Sequence, residues 1–364
     1  MRRHGWSFLF AVLGGPLAQV SAVTRASRTA FGVTIFAPHR SGRQSLNIQL
    51  SALIAVSVDH KDQTSVSYAS STLRTELRSV ATCLVELLGS RRGRLPPVSE
   101  DRVSVKIGAN GVATVTMVRA DKHNALDQGM FEGLINAAEK LASDTSVRAV
   151  VLHGEGKSFC SGLDIASFMS GKGGTGVLLA RDEDRLANFA QRVTYDWSLV
   201  PAPVIAAIHG NCFGGGLQIA LGADIRIATP DAKLSVLEIK WGLVPDMGIT
   251  QTLPRLVAID VAKELTFSGR IVSGDEGCAL GLVTRTADDP LAAALALADE
   301  IAQKSPDAIR AAKRLYNETW ASNDTAAALV LESELQTELI GKPNQIAAVM
   351  AGMSGEPPVF VDPA

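Results

Sequence analysis

Three short segments, in order along the chain, contain the residue types that could carry out chemistry. Residues 158–164 read SFCSGLD, residues 209–218 read HGNCFGGGLQ, and residues 238–245 read EIKWGLVP. Glycines let a ligand approach the main chain closely, and preorganised backbone N–H groups stabilise negative charge on a ligand oxygen. Glu238 adds a carboxylate that can accept and return a proton. Together the segments indicate an anion-stabilising site with one acid–base group.

In type, order and spacing, the three segments resemble those of the enoyl-CoA hydratase/isomerase (crotonase) family. The resemblance extends from about residue 103 to the C-terminus. It implies an enzyme of fatty acid metabolism that acts on an acyl-CoA and needs no separate cofactor, since coenzyme A enters as part of the thioester. The implied fold is the α/β crotonase spiral of ββα units. A helical C-terminal region that assembles as a homotrimer or a dimer of trimers should follow it.

The resemblance also implies roles for individual residues. Proton movement beside a thioester carbonyl builds negative charge on its oxygen, and the implied donors to that oxygen are the amides of Leu163 and Gly215. The implied substrate-binding residues are Lys122, Ala125, Leu126, Ser161, Asp164, Gly214 and Gln218. Residues 122–126 should hold the coenzyme largely through their main chain. Lys313 and Arg314 should either meet coenzyme A phosphates, in their own or a neighbouring subunit, or lie on an exposed helix face.

Position 218 distinguishes between alternative reactions. Hydratases of the family use two glutamates, and at the first of these positions the chain has Gln218, which cannot ionise. Hydration needs an activated water and a delivered proton, whereas moving a proton between two carbons needs a single base. The pattern therefore favours an enoyl-CoA isomerase with Glu238 as its catalytic acid–base. The alternatives are an enoyl-CoA hydratase (a lyase) in which Gln218 positions the water, and a non-catalytic acyl-CoA-binding protein.

Asp246 is a further candidate acid. It lies in the segment VPDMG, where many family members have glycine, and its setting resembles that in dienoyl-CoA isomerases. In those enzymes an aspartate faces the site beside the glutamate. We expect either a second catalytic carboxylate or an aspartate that only caps its own loop.

Periodic patterns predict the elements that position these residues. Val103–Ile107 and 112–118 alternate apolar and polar residues around Asn110-Gly111, which predicts a hairpin. Asp127 should cap an amphipathic helix, and Pro290 should open an almost entirely helical C-terminal region. Further strands are predicted at 148–153, Val204–Ile208, 224–228 and 233–236. Further helices are predicted at 182–197, 217–221, 249–256, 307–317 and from Asn323 or Asp324 to Leu339, with 171–174 as a loop.

Composition excludes several classes of protein. The chain has 364 residues, 46% of them hydrophobic, and a net charge of −2, which gives no basis for nucleic-acid binding. Cys83, Cys160, Cys212 and Cys278 lack metal-site spacing, so they should be reduced thiols in a cytoplasmic protein. No apolar stretch approaches the ~18 residues of a membrane span.

The chain should divide into an extension over 1–100, a core with the acyl-CoA site over 101–289, and an oligomerisation region over 290–364. Residues 1–58 contain no Asp or Glu. This stretch fits a secretory signal ending near Ala22, an Arg- and Ser-rich organelle transit peptide, or a start assigned too far upstream. We favour the last, with a native start near Val98 and a poorly structured segment before it.

Overall fold

The computed structural model describes residues 102–169, 175–182 and 185–363, together with the backbone of five segments nearer the N-terminus. The chain divides into two compact units, Met1–Pro96 and Pro97–Ala364. The second unit contains all of the predicted site residues. It also joins the predicted core and the helical C-terminal region into one unit.

The described segments of the first unit are strands. Three of them, β1 (Ala18–Arg25), β2 (Arg28–Ala37) and β3 (Gln44–Ser51), pair antiparallel in that order. The remaining two, β4 (Ala55–Val58) and β5 (Thr64–Ser67), form an antiparallel pair. The predicted division of the chain, with a poorly structured extension over 1–100, stays a prediction. Residues 68–101, with Cys83 and the proposed start at Val98, lie outside the described residues, and the origin of the acid-free stretch stays a prediction.

A mixed sheet forms the centre of the second unit. Its strand order within the described residues is β13-β11-β9-β8-β7-β6. Within this sheet β6 and β7 pair antiparallel, and the other neighbouring strands are parallel. The strands are β6 (Val103–Ile107), β7 (Val112–Met117), β8 (Ala149–Gly154), β9 (Val204–Ile208), β11 (Ile225–Ala228) and β13 (Arg285–Thr286). A smaller parallel pair joins β10 (Asn211–Phe213) to β12 (Lys233–Ser235).

Helices connect and cover these strands, as the predicted α/β arrangement requires. Among the described residues, none of the helices is both long and apolar enough to cross a membrane. In the core the helices are α1 (Gln128–Ser143), α2 (Ile165–Met169), α3 (Thr175–Leu178), α4 (Phe189–Leu199), α5 (Gly215–Leu221), α6 (Ile259–Ser268) and α7 (Gly274–Leu280). In the C-terminal region they are α8 (Pro290–Ala302), α9 (Pro306–Thr319), α10 (Thr325–Leu339) and α11 (Pro343–Ser354).

The two faces of the sheet bury alternate residues of each strand, because successive side chains of a strand point to opposite faces. On β8, Val150 and Leu152 face the larger core, which includes residues of α1, α4 and α5. Ala149 and Val151 face the other side, where Ala294 of α8 packs. Helix α8 therefore covers one face of the core sheet, although it opens the region that we predicted to serve oligomerisation.

Several predicted ends of elements were wrong. Helix α4 begins at Phe189 instead of 182, because Asn188 and Gln191 form a reciprocal capping box there. The helix predicted at 249–256 is two 3-10 turns, Ile249–Gln251 and Leu253–Arg255, and Pro254 removes a donor from any longer helix. The helix predicted to reach Leu339 does end there, and a further helix that was not predicted, α11, follows it. The predicted hairpin, the Asp127 cap and the strand Val204–Ile208 are confirmed. The predicted loop 171–174 lies outside the described residues.

Helix α9 is held to the core by cations that bind the carboxyl ends of two core helices. Arg310 Nη2 donates to the carbonyl of Thr145, just after α1, at 3.1 Å. Lys313 Nζ lies 3.1 Å from the carbonyls of Trp197 and Ala202, at the end of α4, and 2.7 Å from Asp224 Oδ2. Positive side chains are favourable at these ends because unpaired helix carbonyls gather there. Burial lowers the pKa of Lys313, while the nearby Asp224 carboxylate opposes that change.

We expect Lys313→Met to lower the free energy of unfolding by about 2–4 kcal/mol, because it removes the cation paired with Asp224 and leaves two carbonyls without this donor. Arg314→Met, one residue along the same helix, is the matched control, since Arg314 forms only an exposed pair with Glu318. Urea unfolding of both variants measures the difference. Equal losses in the two variants would contradict this account of how α9 is held.

Candidate active site

Two stretches of main chain meet where the sequence predicted the anion-stabilising site. Cys160 N–H donates to the Asn211 carbonyl, and Phe213 N–H donates to the Cys160 carbonyl, both at 3.0 Å. These bonds form a parallel bridge between Cys160 and Cys212. They place the residues that follow Cys160 beside the start of α5, where a Cβ built on Gly162 would lie 3.7 Å from the Gly215 nitrogen.

The two predicted donor amides are oriented away from competing acceptors. Leu126 forms backbone hydrogen bonds to both neighbours of Leu163. Its N–H donates to the Gly162 carbonyl at 2.8 Å, and its carbonyl accepts from the Asp164 N–H at 3.0 Å. A residue bridged in this way directs its own N–H to the opposite edge, and within the described chain the Leu163 N–H meets no acceptor. Gly215 is the first residue of α5, so its N–H has no partner inside the helix. Both amides are therefore available to a ligand.

The glycines of the GGG segment allow this close approach. Gly214 has a φ of 52°, and a Cβ there would lie 3.2 Å from Glu238 Oε1. At Gly216 a Cβ would lie 2.4 Å from the carbonyl oxygen of Cys160. A side chain at Gly216 would push apart the two segments that form the site, whereas one at Gly214 would crowd Glu238 and strain the left-handed backbone.

Glu238 and Gln218 form a hydrogen-bonded pair beside these amides. Glu238 opens a 3-10 turn, Glu238–Trp241, and Gln218 projects from α5. Gln218 Nε2 donates to Glu238 Oε1 at 2.6 Å, and Gln218 Oε1 accepts from the Met247 N–H at 2.9 Å. The other carboxylate oxygen, Oε2, is buried without a hydrogen-bond partner among the described residues. Gln218 itself is 1% exposed, whereas Glu238 is partly buried.

The surroundings raise the affinity of Glu238 for a proton. Burial raises its pKa above the ordinary value, and the negative charge of Asp246 raises it further. The amides of Glu238 and Leu237 and the donated bond from Gln218 act in the opposite direction. Partial burial also raises the pKa of Asp246, which lies at the exposed edge of the site. The structure thus brings Asp246 close enough to act electrostatically on Glu238.

The backbone N–H groups of the predicted coenzyme loop are all used in hydrogen bonds to other backbone groups. Every N–H from Lys122 to Leu126 donates to a backbone carbonyl, among them Ala125 N–H to the Lys122 carbonyl at 3.0 Å. A ligand can therefore bind this main chain only through carbonyl oxygens, which accept two hydrogen bonds each. Ser161 N–H donates to the His123 carbonyl at 2.9 Å and holds the loop to the segment 158–164.

Asp164 supports the loop by binding Arg119. Arg119 Nη2 lies 2.7 Å from Asp164 Oδ2, and the Ser167 N–H donates to the other Asp164 oxygen at 3.1 Å. Burial raises the pKa of Asp164, but these two donors outweigh it and hold the pKa below the ordinary value. A carboxylate bound on both oxygens in this way is placed to stabilise the loop.

Sequence reasoning missed Asn124 and Arg119. Asn124 has a φ of 55°, a left-handed conformation that asparagine tolerates better than most residues. Its fully buried amide accepts from the Arg119 N–H at 2.9 Å and donates to the carbonyls of Glu155 and Ser158 at 2.9 and 2.8 Å. Asn124 thus connects the predicted coenzyme loop to the turn that leads into the segment 158–164. The sequence of residues 122–126, KHNAL, has no periodic pattern that would indicate this role.

The expectation that Lys313 could meet coenzyme phosphates was wrong for this chain. Its side chain is 7% exposed and already bound to Asp224 and two carbonyls. Arg314 lies on the exposed face of α9, where it pairs with Glu318. No group of three or more His, Cys, Asp or Glu side chains in the described ranges is placed to hold a metal ion.

Comparisons with known proteins agree with this geometry. The family model described as enoyl-CoA hydratase/isomerase matches residues 108–354. The mitochondrial methylglutaconyl-CoA hydratase of Mus musculus is 32% identical over 79% of this chain and 96% of its own length. The mitochondrial Delta(3,5)-Delta(2,4)-dienoyl-CoA isomerase of Mus musculus is 34% identical over 65% of this chain and 75% of its own. The crystal structure of enoyl-CoA hydratase from Bacillus anthracis superposes with a TM-score of 0.63 at 28% identity, covering 71% of this chain and 98% of that one.

The chain belongs to the enoyl-CoA hydratase/isomerase family. The predicted crotonase fold, with its helical C-terminal region, is confirmed by the solved relatives. The relatives are enzymes that include hydratases and an isomerase, so membership makes this chain an acyl-CoA enzyme without fixing its reaction.

We expect Gly216→Ala to lower the free energy of unfolding by about 2–3 kcal/mol, because its Cβ would meet the rigid backbone of Cys160. Gly215→Ala is the matched control. Its Cβ would meet only the ends of the flexible Met247 and Leu126 side chains, and its cost should stay under about 1 kcal/mol. Thermal unfolding of both variants measures this. A larger loss in Gly215→Ala would show that the two segments do not meet as described.

Proposed function

We propose that the protein isomerises an enoyl-CoA, moving a proton along the acyl chain with Glu238 as the acid–base residue. The observation that supports this most directly is the Gln218–Glu238 hydrogen bond of 2.6 Å. A family hydratase has a second glutamate where this chain has Gln218. The buried amide at this position is bonded on both sides, and an amide cannot abstract a proton.

Isomerisation of a 3-enoyl-CoA to a 2-enoyl-CoA takes a proton from C2 and returns one to C4. These carbons flank a single carbon, so one carboxylate can serve both. In the intermediate, negative charge lies on the thioester oxygen, where the Leu163 and Gly215 amides would donate; loss of one such donor costs about 3–4 kcal/mol in other enzymes. The raised pKa of Glu238 makes it a stronger base than an ordinary carboxylate, which favours removal of a weakly acidic carbon proton.

The coenzyme would enter as part of the thioester, with no separate cofactor. The family relatives act on CoA esters by their names, and the carbonyls of loop 122–126 offer acceptors for such a ligand. As an assembly we infer a homotrimer or a dimer of trimers. Helices α9 to α11 support this, because they leave large apolar side chains exposed, including Trp320 at 67%, Met350 at 60% and Met353 at 80%.

Asp246 favours a second candidate, isomerisation of a 3,5-dienoyl-CoA to the 2,4-dienoyl-CoA. That reaction moves a proton from C2 to C6, a span that one carboxylate reaches less easily than C2 to C4. Two acids at one site suit it, and the charge of Asp246 acts on Glu238 here. The dienoyl-CoA isomerase relative is consistent with this candidate. Hydration of a 2-enoyl-CoA, as in the hydratase relatives, is the remaining alternative.

We expect Glu238→Gln to reduce kcat on the true substrate by about 10²–10⁴ while coenzyme A ester affinity changes little. Wild-type activity should rise with pH through the raised pKa of Glu238, because the base must be ionised, and the variant should lose that rise. Ultraviolet absorbance follows each reaction: conjugation appears from 3-enoyl-CoA and disappears on hydration of 2-enoyl-CoA. Near wild-type rates in the variant on every enoyl ester would refute the proposal, and brisk hydration by the wild type would favour the hydratase alternative.

Asp246→Asn separates the two isomerase candidates. If the protein is a dienoyl-CoA isomerase, this variant should lose about 10²-fold or more in kcat on the 3,5-dienoyl ester, because the second proton carrier is gone. If it is a simple enoyl-CoA isomerase, the rate on 3-enoyl-CoA should hold within a few-fold. Asp231→Asn, an exposed aspartate in the turn between β11 and β12, is the control for a change of surface charge.

A further inference from the structure

The side-chain amide of Gln218 has one possible orientation. The Met247 N–H can only donate, so the atom facing it at 2.9 Å must be the Gln218 oxygen. The NH₂ group must then face Glu238, whose Oε1 lies 2.6 Å away. Because Gln218 is fully buried within α5, its side chain has no solvent-exposed alternative in which to exchange these partners.

We propose that Gln218 is a positioning residue that reserves one carboxylate oxygen of Glu238, Oε2, for the transferred proton. This rests on the proposed function, in which Glu238 is the acid–base residue. Oε1 is held by the amide, whereas Oε2 is buried and has no hydrogen-bond partner in the described residues. A carboxylate fixed in this way presents a single basic oxygen at a defined place, as a proton shuttle between two carbons requires.

An amide serves this purpose better than a carboxylate. Two carboxyl groups at the separation seen here would share a proton and titrate as a pair. With Gln218 the charged group acting on Glu238 from the surrounding described elements is Asp246, at the edge of the site. Glu238 therefore has no second carboxylate competing for its proton at bonding distance.

Gln218 also connects Glu238 to the segment that bears Asp246. Its oxygen holds the N–H of the Asp246–Met247 peptide. The same amide thus fixes the carboxylate of one acid and the backbone of the other. Loss of the bond to Glu238 and loss of the bond to Met247 should have different consequences, and two substitutions separate them.

Gln218→Met has a similar length and loses both bonds, whereas Gln218→Glu keeps an acceptor for the Met247 N–H and replaces the amide donor with a carboxyl group that would share a proton with Glu238. The measurement is the pH profile of kcat/KM on 3-enoyl-CoA or the 3,5-dienoyl ester, whichever the wild type turns over. Losing a donor to the ionised carboxylate favours the protonated form, so the ascending limb should move to higher pH in both variants, by about one pH unit in Gln218→Met. In Gln218→Glu the two carboxyl groups should titrate as a pair, and the higher of their two pKa values should place the upper part of the limb at a higher pH still. Plateau kcat should fall about tenfold in Gln218→Met with KM nearly constant.

A purely structural role would lower stability or rate without moving the limb. Asn188→Ala is the matched control: it removes a buried amide that caps α4, and it should lower the melting temperature without changing the pH profile. If the wild-type limb persists in Glu238→Gln, the proposed function fails. If the ascending limb depends on Glu238 but stays in place in both Gln218 variants, this inference alone is overturned. If Gln218→Met does not fold, the pH profile of Gln218→Glu decides the question.

Discussion

The backbone hydrogen bonds that join Cys160 to Asn211 and Phe213 bring together two segments far apart in sequence, and the site is built on that contact. Two amides can act on one oxygen only if their main chains lie closer than side chains normally allow. Gly216 meets this condition, since a Cβ there would overlap the Cys160 carbonyl. The sheet provides the frame, because β8 and β9 are parallel neighbours whose carboxyl ends lead into the two segments.

A second group of contacts keeps the first donor amide in place. Leu126 aligns Leu163 through both of its backbone groups, and Asn124 and Arg119 hold the turn that carries Leu126. Asn124 satisfies its whole amide with backbone partners, so its burial is offset by hydrogen bonds. Donor orientation in this site therefore depends on polar side chains remote from the reacting atoms.

Sequence patterns predicted the fold better than the site's internal bonding. The hairpin, the Asp127 cap and the strand Val204–Ile208 each follow from short-range signals, namely alternation, a capping residue and an apolar run. Helix α4 was placed too early because the polar residues before Asn188 do not reveal which of them caps the helix. The roles of Asn124 and Arg119, and the burial of Lys313, depend on partners distant in sequence. No local pattern encodes such partners, and motif order located the site without them.

Glu238 illustrates how the site balances opposing free energies. Burial favours the neutral acid, and a fully neutral Glu238 could not remove a proton. The Gln218 donor and nearby backbone amides stabilise the ionised form and limit that rise, without adding a charge. An unpaired buried oxygen such as Oε2 costs about 1–3 kcal/mol in a purely structural setting. In the mechanism that we propose, Oε2 is the atom that would meet a substrate proton, so the lone pair that the described residues leave unpaired is also the one that would react.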